Sequence, residues 1–265
     1  MLTRFAPSPT GLLHLGHAHA ATQAFGFDDN IPCLLRIEDI DKTRCRPEYT
    51  TAIYEDLDWL GFDWPIPVRV QSRHRAQYND VIHDLRQRGL LYRCFKTRAE
   101  LKDSPPAPLP EREVQARLAD KAPFAWRLSI NNCKARVKTP LTYIDTGQDK
   151  SVDIAALSDV VLARKDIGTS YHIAVTHDDM IQNITHVVRG ADFIDQTPYH
   201  VLIQSLMGWP TPIYHHHALL LRDDGEKLSK RHSDTTIRSL RENSLTARQV
   251  LDMSCLLYTS PSPRD

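Results

Sequence analysis

The stretch Arg4-Phe5-Ala6-Pro7-Ser8-Pro9-Thr10-Gly11-Leu12-Leu13-His14-Leu15-Gly16-His17 constrains this chain more than any other. Leu2 to Ala6 is patterned as a short strand, and Pro7-Ser8-Pro9-Thr10-Gly11 is dense in turn formers. From His14 onward, small residues of good helix propensity predict a helix. A strand end, a glycine and two histidines therefore meet where a helix N-terminus projects N–H groups, a place that attracts phosphate. Gly16 keeps side-chain bulk away from whatever docks there. Taken alone, a His-x-x-His pair is more often structural or incidental than catalytic.

A second stretch lies far along the chain, at Asp224-Gly225-Glu226-Lys227-Leu228-Ser229-Lys230-Arg231. Asp-Gly opens a turn, and Lys227, Lys230 and Arg231 are clustered so that the loop can bring positive charge to a polyphosphate as its transition state forms. The bulk charge gives no such hint. Lysines plus arginines number 33 against 33 acidic residues, so there is no global basic signal for nucleic acid and an RNA partner must rest on local patches. Five cysteines form no CxxC pair, and no apolar run is long enough to span a bilayer. Those features predict a reduced, cytoplasmic setting with no membrane partner.

Between the two stretches, strands alternate with helices. Ile31 to Glu38 is patterned as a buried strand ending in charge, which places Glu38, Asp39 and Asp41 where an open parallel sheet puts its ligands. Helices are predicted from Arg46-Pro47-Glu48 and from Tyr78 to Arg88, the latter closed by Gly89. From Cys94 to about Phe124 the character changes to a proline-rich connector, Ser104 to Pro110, and a charged helix, Glu111 to Asp120. Strands are predicted at Ala125–Leu128, Leu141–Asp145, Val160–Arg164, Tyr171–Val175 and Val187–Asp192, with a helix from Pro198 to Met207. The expected fold is α/β: a doubly wound Rossmann-type nucleotide-binding domain with an inserted small subdomain. Its expected divisions are residues 1–93 as the first half, 94–150 as an acceptor-like insertion, and 151–254 as the second half with the Lys-Leu-Ser-Lys-Arg loop. Residues 255–265 show no periodicity and resemble a translated sequencing-library adapter, so they are set apart as a non-native tail, with the natural chain expected to differ beyond residue 254.

In this order and at this distance, His14-Leu15-Gly16-His17 and Lys227-Leu228-Ser229-Lys230-Arg231 resemble the HIGH and KMSKS signatures of class I aminoacyl-tRNA synthetases. Arg4 to Gly16, together with Leu35-Arg36-Ile37-Glu38-Asp39-Ile40-Asp41, narrows the likeness to the glutamyl branch. Within it the chain resembles the glutamyl-queuosine tRNA(Asp) synthetases, paralogues of the glutamyl-tRNA synthetase catalytic domain that lack its anticodon-binding part. The likeness covers Leu2 to about Met253 and is weakest between Cys94 and Ile154.

That resemblance implies activation of L-glutamate with ATP and magnesium, then transfer to the queuosine base in the anticodon of tRNA(Asp), by a monomer. It implies that Arg4, Phe5, Ala6, Pro7 and Ser8 help to hold glutamate, with Arg4 a candidate for the side-chain carboxylate. Glu38 is implied to bind the α-ammonium, and Tyr171 and Arg189 to complete the amino-acid pocket. An alternative for Arg189 is a structural pair with Asp192. His14, Gly16, His17, Lys227 and Lys230 are implied to handle ATP, with His14, His17 and Lys230 acting on its phosphates. Family members commonly hold zinc in the insertion through a Cys-x-Cys pair and a later Tyr and Cys. Here Cys94-Phe95-Lys96 replaces the pair and only Cys133 lies nearby, so no structural zinc and no other metal site is expected. His215-His216-His217 in a strand would point to alternate faces. Two rivals remain: a truncated glutamyl-tRNA synthetase charging tRNA(Glu), and a non-catalytic tRNA-binding paralogue.

Overall fold

A computed structural model describes residues 1–28, 30–97, 99–164, 168–220 and 235–259, of which 255–259 are described by backbone alone. Strand β1 (Thr3–Phe5) leads into α1 (Leu15–Phe25), then β2 (Cys33–Ile37), α2 (Pro47–Trp59), β3 (Arg69–Val70) and α3 (Arg75–Gln87). Next come β4 (Leu91–Cys94), α4 (Glu100–Asp103), α5 (Glu111–Ala119), β5 (Ala125–Leu128), α6 (Ile130–Arg136), β6 (Leu141–Asp145) and β7 (Gln148–Val152). The described chain continues with β8 (Val161–Arg164), α7 (Tyr171–Ile181), β9 (His186–Gly190), α8 (Thr197–Met207), β10 (Ile213–His217), α9 (Ile237–Glu242) and α10 (Ala247–Thr259).

Strands β1, β2 and β3 pair in parallel, as do β9 with β10 and β10 with β6. The carbonyl of Leu2 accepts from the backbone N–H groups of Thr185 and His186, which lays β1 beside β9. The resulting order, β3-β2-β1-β9-β10-β6, reverses direction between β1 and β9. That reversal is the switch point at which an open α/β sheet leaves a crevice beyond the strand carboxyl ends. Successive strand residues serve opposite layers. Val187 belongs to a core with Leu85, Ile173 and Leu202 from α3, α7 and α8; Val188 belongs to one with Ala18, Leu57 and Ile237 from α1, α2 and α9. Helices thus cover both faces, as a doubly wound sheet requires.

Strand pairing crosses the divisions drawn from sequence. The small antiparallel sheet β4-β5-β8 draws its strands from either side of residues 94 and 150, whereas the hairpin β6–β7, which begins inside that interval, joins the main sheet through Tyr214 opposite Asp145. Helix α10 runs on to Thr259, into the segment set apart as a tail. In the insertion, Lys96 donates to Ser104 Oγ and to the Pro105 carbonyl, while Cys94 and Cys133 are buried free thiols. Among the described residues no helix is long and apolar enough to cross a membrane.

One expectation fails outright. Tyr171–Val175 is not a strand but the start of α7. The helix is buried from His172 through Asp179, so it shows no polar stripe, and a five-residue apolar run looks alike in a buried strand and a buried helix.

Helix α7 also carries the principal electrostatic bond of the fold. Arg4 on β1 and Arg36 on β2 both reach Asp179, at 3.1 and 2.7 Å, and Arg69 on β3 reaches Asp178 at 2.7 Å. Gln71 and Tyr78 donate to Asp178 as well. Burial pushes the Asp178 carboxyl upward, but His177, Arg36, Arg69 and Tyr78 outweigh it and hold the group below its usual range. Its ionised form is therefore tied to folding, and that contribution is lost as pH falls through the depressed value. Asp178→Asn leaves Arg69 without its buried counter-charge and is expected to cost about 3–5 kcal/mol in urea unfolding. Asp84→Asn, which breaks the exposed Arg88 pair, should cost about 0.5 kcal/mol or less. Equal midpoint shifts for the two variants would contradict this assignment.

Candidate active site

A cavity of about 970 Å³ opens beyond the carboxyl ends of the first three strands. Ser8 and Thr10 follow β1, Glu38 and Asp41 follow β2, and Gln71 follows β3; Arg127 closes it from the insertion, and Asp159, Arg164, Tyr171, His172 and Phe193 from the second half. The backbone ties these loops together. Glu38 N–H donates to the Pro7 carbonyl and Arg46 N–H to that of Pro9, so the turn after β1 is braced by the segment after β2.

Of the residues expected to hold glutamate, Ser8, Glu38 and Tyr171 line the cavity. Phe5 is a core residue, and the Pro7 carbonyl accepts from Glu38 N–H in the turn. Arg4 and Arg189 lie behind the wall, 4% and 7% exposed. The two arginines are held in opposite ways. Arg4 gives its Nε to Asp179 and an Nη1 bond to the Val188 carbonyl, so a carboxylate already answers its charge. Arg189 gives Nε to His216 Nε2 (3.1 Å), Nη1 to His200 Nδ1 (3.2 Å) and Tyr171 Oη (3.4 Å), and Nη2 to Thr197 Oγ1 (2.6 Å) and the Phe193 carbonyl (3.4 Å). Every one of those acceptors is neutral. Burial and the Arg189 charge drive His200 far below its usual range and His172 down to about 4, and burial pushes Tyr171 up to about 12. The guanidinium also sits over the Phe193 and Tyr214 rings, at 5.6 and 5.2 Å. A buried cation solvated by neutral dipoles is poised to gain from an incoming anion. No Asp192 bond is among these five contacts.

The glycine after Arg189 is set by close approach. A Cβ on Gly190 would meet Asp192 Oδ1 at 2.6 Å and Leu219 Cδ2 at 2.7 Å.

Among the described residues, the cavity's carboxylates are Glu38, Asp41 and Asp159. Burial pushes Glu38 up to about 7, against the pull of Arg36 and Arg4 and with the push of Asp179 and Asp178. A substrate ammonium ion beside it would restore the ionised form.

At the start of α1, two histidines stand in for the usual Ser/Thr and Glu of a capping box. His14 Nδ1 accepts from Gly16 N–H at 3.1 Å, and His17 Nδ1 accepts from His14 N–H at 3.2 Å. An accepting Nδ1 fixes the neutral ring with its proton on Nε2, so both rings become Nε2–H donors. Gly16 is part of this cap. Lys227 and Lys230 lie outside the described residues. The flanks of their segment are nevertheless anchored here: Leu220 is buried, Thr236 forms a bridge with His14, and Ile237 N–H donates to the Leu13 carbonyl. Sequence reasoning missed Asp145, His200 and His216, which surround Arg189, because neither motif nor spacing links them. The histidine run held the one available signal, and β10 does alternate: His216 faces Asp145 and Arg189, whereas His215 stacks on His186.

Because Glu38 titrates higher in the folded chain than the ordinary 4.5, it favours folding while protonated, and that stability is lost as pH rises toward 7. Glu38→Gln should leave the thermal midpoint unchanged at pH 3, below the ordinary 4.5, and raise stability at pH 8 by about 1–3 kcal/mol. A gap that does not vary with pH would refute the shift.

Comparison with known proteins identifies the family. The family model for the catalytic domain of class I tRNA synthetases (E and Q) matches residues 1–263. A glutamyl-Q tRNA(Asp) synthetase from Rhodobacter capsulatus is 38% identical, over 94% of this chain and 98% of its own length. A glutamate–tRNA ligase from Coprothermobacter proteolyticus is 34% identical, over 98% of this chain but 59% of its own length. The crystal structure of a glutamate tRNA ligase from Elizabethkingia meningosepticum, in complex with its amino acid, superposes with a TM-score of 0.72 at 30% identity. That superposition covers 87% of this chain and 52% of the other. The chain therefore belongs to the glutamyl and glutaminyl branch of the class I aminoacyl-tRNA synthetases, and it is a ligase of that kind.

Proposed function

We propose that this protein activates L-glutamate as glutamyl-adenylate and transfers it to the queuosine base in the anticodon of tRNA(Asp), acting as a cytoplasmic monomer. The observation that carries glutamate is the buried Arg189 guanidinium, surrounded by neutral acceptors at the wall of a cavity that also holds Glu38. Arg189 and Tyr171 receive the side-chain carboxylate, Glu38 takes the α-ammonium, and Arg4 with the Phe5 to Ser8 segment shapes the floor. In this assignment Arg4 acts at longer range than the sequence reading supposed, because Asp179 already pairs with it. The α-carboxylate then attacks the ATP α-phosphate and pyrophosphate leaves, so the task is positioning and charge neutralisation. His14 and His17 donate through Nε2–H at the α1 N-terminus beside Gly16, and Lys227 and Lys230 supply positive charge. Among the described residues no three His, Cys, Asp or Glu side chains form a metal-holding group, so magnesium is assigned to the phosphates of ATP.

Similarity across nearly the whole Rhodobacter capsulatus relative supports the queuosine acceptor. The glutamate–tRNA ligases among the relatives support a second reading, charging of tRNA(Glu). ATP–pyrophosphate exchange with glutamate separates them. The family resemblance implies exchange without tRNA for the queuosine enzyme, and exchange only with cognate tRNA for the ordinary synthetase. Exchange by the protein alone is expected, and exchange appearing only with tRNA(Glu) would transfer the assignment. Removing one phosphate donor, as in His17→Ala, should lower the rate by about 10²–10³.

A further inference from the structure

Arg189 is oriented by a relay that starts on a different strand. On β6, Asp145 Oδ2 accepts from His216 Nδ1 at 2.8 Å, and Oδ1 accepts from the His216 backbone N–H at 3.3 Å. Both side chains are buried, 8% and 2% exposed. A carboxylate on Nδ1 obliges that nitrogen to carry the proton, which leaves Nε2 as an acceptor. Nε2 receives the Arg189 Nε–H at 3.1 Å. One edge of the guanidinium is thus tied to His216 and another to Thr197, and Nη1 is presented toward Tyr171 at the cavity wall. In the other tautomer, an Nε2–H would confront the Arg189 Nε–H, two donors face to face, and the fork would turn away.

We propose that Asp145 is a positioning residue for carboxylate recognition: by fixing the His216 tautomer it aims Arg189 at the substrate side chain. This rests on the assignment of Arg189 as the glutamate receptor. Asp145 is not among the residues that line the cavity. Its place in the sheet explains its reach, because β6 pairs with β10 at Tyr214 opposite Asp145, which brings the carboxylate beside His216.

Asp145→Asn is the decisive variant. An asparagine offers one oxygen where the aspartate satisfied three donors, the Thr146 hydroxyl, the His216 backbone N–H and Nδ1–H. The backbone N–H cannot move its proton and the imidazole can, so the ring switches tautomer. In ATP–pyrophosphate exchange, KM for glutamate should rise about 10- to 100-fold, the range seen when the group orienting a site histidine is lost. KM for ATP should stay within about twofold of the wild type, as expected for a change confined to the amino-acid side. In 15N NMR of the imidazoles, wild-type His216, identified by its loss in His216→Gln, should carry its proton on Nδ1. In Asp145→Asn the proton should appear on Nε2. His216→Gln should raise KM for glutamate too, and the double variant should add little to either single, because the residues act in series. If Asp145→Asn fails to fold, the wild-type tautomer and the His216→Gln kinetics still decide: a proton on Nε2, or an unchanged KM for glutamate, overturns the relay. Folded Asp145→Asn with an unchanged KM, in protein whose wild type exchanges normally, overturns the relay alone. Folded wild type with no glutamate-dependent exchange overturns the proposed function, and the receptor assignment of Arg189 with it.

Discussion

Two adjacent carboxylates on one buried helix hold this fold together. Asp178 and Asp179 on α7 collect an arginine from each of β1, β2 and β3, so the strands of the first half are tied to a helix of the second through charge rather than through packing alone. Breaking such a pair is far costlier than never having made it, because the surviving arginine stays buried without an anion. The same bonds place the site. The segments after β1 and β2 carry Ser8 and Glu38, and the strands that present them are pinned to α7 at Arg4 and Arg36. Tyr171, at the N-terminal end of α7, is thereby held on the opposite wall of the same cavity.

Buried arginine serves two purposes here, and the partner decides which. Arg4 and Arg36 share the Asp179 carboxylate, which ties both to α7. Arg189 is equally buried, yet its five contacts are to two imidazoles, two hydroxyls and a carbonyl. Dipoles can satisfy the donors of a guanidinium without cancelling its charge. The positive potential at Tyr171 survives, which is what discrimination between a carboxylate and its amide needs. Keeping His172 and His200 uncharged belongs to the same design, since a second cation beside Arg189 would only add repulsion.

Much of this was legible in the sequence, and the gaps have physical causes. Turn chemistry and charged strand ends marked the crevice correctly at Pro7–Gly11 and Glu38, because local rules govern such positions. The strand at Tyr171–Val175 was misread because full burial erases the periodicity that separates a helix from a strand. Asp145 and His216 were invisible because a parallel register between β6 and β10 brings them together, and register has no local signature. The family resemblance marks Arg4 as a candidate for the glutamate side-chain carboxylate. That α7 already supplies a carboxylate to it can be seen only in three dimensions.

The Arg–Asp bonds also bear on how the chain is made. A ribosome delivers β1, β2 and β3, with Arg4, Arg36 and Arg69, well before it delivers Asp178 and Asp179. At about 5–20 residues per second, the interval from Arg69 to Asp179 lasts on the order of 5–20 s. Throughout it, closing the first three strands would bury three cations with no anions to meet them, so the early sheet is held open by its own charge. The first three strands therefore gain their buried counter-charges only once α7 is in place.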